Sequence, residues 1–533
     1  VKTLIQKHSH PILLSLTLNI VLVHLATLKD LHLHEVGGYE NYGGLRTRSG
    51  LDIKIFQIKI YTRLGGLKDT VRLGLNIPLF VASVIAIAVG TFTGMVGIWG
   101  FAAQKQVVPE WIKVSHAHAS WWAVLILIAA TVVPSLPLAS WFRKFLLVTA
   151  LICPGAWVVL GQFAYYHLGV GFAKYLMPVF EIPLFVALLG VALVAAGVRV
   201  PFITVEGEPK PGRYDVMSSV EVDRRVFLVP ALVATLGVIV GFAIAAHFKA
   251  AGQPIRPAAL VQLHDHLVLI SASSVIALLA LRVLNVSESL FKAAIRIMEV
   301  ALPLVALGLI AFNVLGVHSL VWVVPAGIYY ILPVLAFLAA LGVLPRRSTG
   351  DLPYISAIRV SLAFAYAMIL ILVAQGAHIA LVWNTSPDIT VTFKQPEGLS
   401  YPGPYPATFI GRAPAKGTPR GLENAHLSPG SWSHVAAMWL ITLALVGPTI
   451  FVEKLRKPGL LYLFLVTIPI APAFNMLGRY LAWWPDLPAG APGGIGALWY
   501  AGHPIKGFNI ISLFILGVAL LYIMSKSEVE VKR

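Results

Sequence analysis

Twelve apolar stretches, each long enough to cross a hydrocarbon layer of ~30 Å, run through this chain. They cover roughly 77–103, 115–138, 144–167, 175–199, 226–248, 262–282, 293–316, 319–344, 356–384, 432–452, 457–479 and 505–525. A backbone inside lipid must satisfy its own polar groups, and continuous runs of this length do so as helices. The expected fold is an all-α integral membrane protein with about twelve transmembrane helices. Composition agrees, with 58% hydrophobic and 12% charged residues.

The formal charge of +17 does not mark a nucleic-acid binder. The Lys and Arg residues lie scattered between apolar spans and form no block that could track a phosphate backbone. Loops after the even-numbered stretches hold Arg143 and Lys144, five basic residues in 199–225, Arg282 and Lys292, Arg346 and Arg347, and Lys454, Arg456 and Lys457. An excess of positive charge in cytoplasmic loops then puts both termini in the cytoplasm of a multi-pass protein of the cell (plasma) membrane. The single cysteine, Cys153, lies inside an apolar span, so there is no disulfide framework, CxxC pair or c-type haem attachment sequence. Residues 1–75 read as an N-terminal extension whose stretch from Pro11 to Thr27 is an extra membrane-associated helix, without a clean signal-peptide pattern. Its histidines (His8, His10, His24, His32 and His34) stand in polar, basic sequence and read as solvated groups.

The stretches fall into three groups of four. The third member of each group ends on a related signature: Ala164-Tyr-Tyr-His-Leu-Gly169, Ala311-Phe-Asn-Val-Leu-Gly316 and Ala473-Phe-Asn-Met-Leu-Gly478. The fourth members of groups one and three share Leu-Gly-Val-Ala-Leu, at Leu189–Leu193 and Leu516–Leu520. Matches in one order imply internal repetition, here three pseudo-threefold four-helix repeats at 76–200, 226–345 and 355–526. Residues 201–225 join the first two as a cytoplasmic loop, and the Pro/Gly-rich 385–431 forms an outer cap within the third.

The second member of each group carries histidine. His116-x-His118 opens the stretch in group one, His264-x-His266 opens it in group two, 148 residues later, and Trp432-x-His434 stands there in group three. A buried polar group without a partner costs roughly 2–7 kcal/mol, so histidines gathered at one end of three apolar helices point to a shared purpose. Residues two apart on a helix face about 200° from one another. Such a pair therefore offers one ring to each of two neighbours instead of chelating one metal. Neutral imidazole is a common ligand for haem iron and copper. His116, His118, His264, His266 and His434 are the candidate ligands, with His426 as a further one upstream of Pro429. Arg479, just after the third signature, is a candidate partner for a haem propionate. Glu181 and Glu299 are acids within spans, and Asp265 could orient a histidine ring. His167, His247, His318, His378 and His503 read as interfacial.

Three four-helix arcs with histidines at one face resemble the catalytic subunit of the haem–copper oxidases and nitric oxide reductases. The resemblance spans roughly residues 77–525. It implies a six-coordinate b-type haem held by His118 and His434, and an oxidoreductase passing electrons to a second haem, dioxygen or nitric oxide. The chain departs from that pattern where copper would bind. The sixth stretch lacks the family's copper motif, the seventh has no histidine before His318, and Trp432 replaces the first histidine of the tenth. Copper is thus not supported by motif. The NnrS-like haem- and copper-containing membrane proteins are similar in placing histidines at helix ends.

The resulting expectation is a haem-binding membrane redox protein fed by quinol, by an outer-side donor, or by other subunits of a respiratory complex. Two rival readings are a histidine-dependent transporter of metal or protons and a non-catalytic anchor subunit. Transporter repeats usually come as halves with sites near the midplane, whereas these histidines lie towards the helix ends.

Overall fold

The computed structural model describes residues 69–100, 110–158, 173–207, 209, 211–244, 258–315, 317–318, 320–347, 355–378, 420–482 and 497–531. The expected helix at 11–27, the extension's histidines, His167, His247, the first signature and 385–419 of the cap lie outside them. All described residues belong to the unit Leu64–Arg533.

The apolar runs form helices, as their composition demands. They are α1 (Ile77–Gly100), α2 (Glu110–Val132), α3 (Ser140–Ala156), α4 (Ala173–Ala195), α5 (Arg225–Ile244), α6 (Ala258–Val283), α7 (Glu288–Leu315), α8 (Leu320–Tyr329), α9 (Ile331–Leu341), α10 (Ile355–His378), α11 (Arg420–Gly447), α12 (Pro458–Ala482) and α13 (Ala497–Val531). Among the described residues, nine spans are long and apolar enough to cross a membrane, with α8 and α9 counted together as one. The stretch at 319–344 forms two helices instead of one, meeting at Tyr330. Pro333 has no N–H to give the Tyr329 carbonyl, so the helical ladder is interrupted there. The helix expected from 432 starts at Arg420, so the end of the expected cap loop is helical.

Two strands depart from the all-α expectation. β1 (Thr70–Asn76) pairs antiparallel with β2 (Asp215–Asp223), in register from Thr70↔Asp223 to Asn76↔Asp215, with an irregularity between Arg72 and Gly74. One strand falls in the expected extension and the other in the expected 201–225 loop. Val71, Leu73, Leu75, Val216 and Val222 are buried, and the sheet packs on α2, α6 and α11 at the end away from the histidine pairs. Asp215 ties it down: it accepts from Arg143 Nη1 at 3.0 Å, Asn76 Nδ2 at 2.7 Å and the Gly212 amide at 2.6 Å. Asn76 also caps α1, its Oδ1 accepting from the Leu79 amide at 3.0 Å.

The histidine-bearing helices α2, α6 and α11 touch one another at the centre. Around them α1 packs on α2 and α3, α5 on α6 and α7, and α10 on α11 and α12. Further contacts of α4 on α5, α9 on α10 and α13 on α1 close a ring around them.

Candidate functional site

The first histidine of each pair is seated on bare backbone. His116 Nδ1 lies 2.7 Å from the Gly90 carbonyl oxygen of α1, and a Cβ at Gly94 would fall 2.6 Å from that nitrogen. His264 repeats this on α5, with Nδ1 2.7 Å from the Gly237 carbonyl and a Cβ at Gly241 only 2.5 Å from Cε1. In both helix pairs a Gly-x-x-x-Gly supplies the carbonyl and the flat surface. A ring nitrogen facing a carbonyl oxygen is the protonated one, which leaves the lone pair on Nε2.

The second histidines face the other way, as the helical angle requires. His118 Nδ1 lies 2.6 Å from Glu181 Oε1 on α4, and the same oxygen accepts from Trp122 Nε1 at 3.2 Å. The His118 ring stacks on Trp157, with centroids 5.2 Å apart and planes 16° apart. His266 meets Trp322 of α8 edge-on at 6.0 Å.

Across the contact between α2 and α6, the rings of His118 and His264 come to 5.9 Å between centroids, tilted by 39°. Imidazole–metal bonds of about 2 Å, as with zinc, and a ring radius of about 1 Å on each side put rings that face across one metal about 6 Å apart. An apolar cleft lies between α2, α4, α5 and α6, about 750 Å³ with the open space outside its mouth included. Trp122 and Val268 line it one turn from His118 and His264, and Ala129, Phe185, Ala231 and Ala272 continue its walls. Apart from Trp122, its polar side chains are Thr235 and Ser271, whose hydroxyls donate to the Ala231 and Leu267 carbonyls of their own helices at 2.7 Å. Those two therefore spend their hydrogen bonds on their own helices.

His434 engages a different place. Its Nε2 bonds the Ser273 hydroxyl, and its ring lies 5.9 Å from Trp121. Ser273 is nine residues beyond His264 on α6, roughly 13 Å along the axis, so His434 meets α6 well below the His118 level. The histidine brought against His118 is His264. Trp432, in the position of the missing histidine, is buried beneath Lys506, whose Nζ lies 4.9 Å from the ring centre.

Asp265 is half exposed and 3.9 Å from His264 Nε2, beyond hydrogen-bond reach; the Gly237 carbonyl orients that ring instead. Glu299 lies near the charges of Arg225 and Arg296. His318 is exposed and accepts from the Leu320 amide at 3.2 Å, at the start of α8. His426 and Arg479 sit on α11 and α12, His378 and His503 on α10 and α13, and the side chains of all four fall outside the described residues. Among the described residues no group of three or more His, Cys, Asp or Glu side chains is set to hold a bare metal ion. Comparison with protein-family models, curated proteins and solved structures finds no match for this chain.

Proposed function

We propose that this is a membrane electron-transfer protein in which His118 and His264, between α2 and α6, would hold a b-type haem. The observation that carries the reading is the 5.9 Å approach of these two rings at the head of an apolar cleft. A porphyrin would supply four nitrogens itself, so two protein imidazoles would suffice, and no three-residue metal cluster stands among the described residues. Both rings have Nδ1 held by an oxygen, Glu181 for His118 and Gly237 for His264, which turns each Nε2 into the ligating atom. The cleft's alanines and its hydrogen-bonded hydroxyls suit an apolar macrocycle. When bound, a haem with two imidazole ligands supplies one-electron redox chemistry. The residues contribute orientation, exclusion of water and electrostatic tuning.

The same reading takes the three groups of four helices as repeats around α2, α6 and α11, and the basic sheet end as the cytoplasmic face of the plasma membrane. Electrons then enter from quinol, from a donor at the histidine end, or through other subunits.

The test is a pyridine haemochrome assay with electron paramagnetic resonance on protein purified from haem-supplemented cells. Wild type is expected to show a low-spin b-type signal that His118→Ala and His264→Ala each abolish and His434→Ala leaves. Reduced His264→Ala should bind carbon monoxide where wild type does not. A colourless wild type overturns the reading. Loss in His434→Ala with retention in His264→Ala overturns the ligand pair.

A further inference from the structure

The two rings at the head of the cleft are held by unlike oxygens. His264 faces a neutral amide carbonyl, that of Gly237 at 2.7 Å. His118 faces a carboxylate, Glu181 Oε1 at 2.6 Å, and the glutamate is only 8% exposed. Little water screens that charge, so its effect on the ring is larger than it would be at a surface. The same oxygen also accepts the Trp122 indole N–H at 3.2 Å, a neutral bond that draws part of its electron density away from the imidazole. Trp122 and His118 lie one turn apart on α2, and both donors converge on one atom brought in by α4.

A carboxylate bonded to the outer nitrogen of a ligating imidazole raises the basicity of the other nitrogen. More electron density at the metal favours its oxidised form. We infer that Glu181 is a positioning residue that fixes the His118 ring and, through it, holds the reduction potential of the bound centre low, while Trp122 offsets part of that effect. The assignment rests on the haem reading above. A lowered potential makes the centre a better electron donor and a poorer acceptor than the same centre without the carboxylate.

The structure offers two substitutions with opposite signs. Glu181→Gln keeps an oxygen for the His118 N–H but removes the charge. At a fixed potential the reduced-to-oxidised ratio should rise at least tenfold, an upward shift of about 59 mV for one electron. Trp122→Phe keeps an aromatic wall in the cleft but frees Glu181 Oε1 for His118 alone, so the midpoint should fall. Glu181→Asp, with its charge one methylene further away, should lie between wild type and Glu181→Gln.

The measurement is optical redox titration of each purified protein, with the low-spin spectrum recorded alongside. Opposite shifts with an unchanged ligation spectrum support the assignment, because a merely structural post between α4 and α2 does not produce opposed signs. If Glu181→Gln fails to retain haem, Trp122→Phe decides alone: a lower midpoint supports the assignment and an unchanged one overturns it. Midpoints that stay put, or move together, in a coloured protein overturn this assignment and leave the haem reading standing. A colourless wild type overturns both.

Discussion

At Gly94 and Gly241 an imidazole lies where a methyl group would otherwise sit. Alanine at Gly241 would put Cβ 2.5 Å from the His264 ring and force it off the Gly237 carbonyl. That loses a hydrogen bond worth about 0.5–1.5 kcal/mol and leaves the His264 ring N–H without its acceptor. Gly241→Ala is therefore expected to lower the unfolding temperature and, on the proposed haem function, the haem content as well. Gly94→Ala should lower only the first, because His116 faces α1 and not the cleft. Gly155 meets nothing within 4 Å, and alanine there should be neutral or stabilise by up to about 1 kcal/mol. Thermal unfolding with haem quantitation separates the three; equal haem loss at Gly94 and Gly241 would mean that His116 also holds the cofactor. The opposed aim of His116 and His118 was legible from their spacing alone. The meeting of His118 with His264 was not, because it depends on how α2 and α6 are rotated about their axes. Gly90/Gly94 and Gly237/Gly241 did carry that information, since a bare backbone patch opposite each first histidine fixes the rotation.

The β1–β2 sheet shows what a scan for apolar runs passes over. Its strands are short, show no clean alternation in burial, and stand apart by 139 residues at Asn76↔Asp215. Without a period of two, nothing marks them as strands beside the long apolar helices. The fastening residue is Asp215, whose side chain is fully buried where it meets Arg143. Asp215→Ala leaves Arg143, Asn76 Nδ2 and the Gly212 amide without their acceptor. Breaking a buried ion pair from one side costs about 3–5 kcal/mol. Arg143→Ala should cost less, because Asp215 keeps its other two donors. Denaturant unfolding in detergent is expected to rank Asp215→Ala below Arg143→Ala below wild type. The reverse order would mean that the arginine, which also donates to the Leu136 carbonyl at 3.0 Å, does the fastening.

Across the whole molecule, hydropathy made a helical membrane protein legible because each span needs only a run of apolar residues. Where a helix breaks or begins depends on single residues such as Pro333, which an average over a run of apolar residues smooths away. The order of packing rests on the helix contacts, and here one motif has two uses. In Leu189–Leu193, Gly190 holds α4 on α3: a Cβ there would fall 2.7 Å from Phe142 Cζ. In Leu516–Leu520, Gly517 holds α13 on α1, with a Cβ 2.6 Å from Val81 Cγ2. One glycine thus joins two successive helices, and the other joins the last helix to the first at the seam where the ring closes. Leucine at either position overpacks its contact at about 1–3 kcal/mol, yet the consequences should differ. Gly190→Leu pushes on the helix that carries Glu181 and should disturb the ligation spectrum. Gly517→Leu opens the seam far from His118 and should leave that spectrum intact while hastening amide exchange in α1 and α13. Exchange mass spectrometry beside the optical spectrum reads both variants. A disturbed spectrum in Gly517→Leu would mean that the cofactor depends on closure of the entire ring and not on the helices around the cleft.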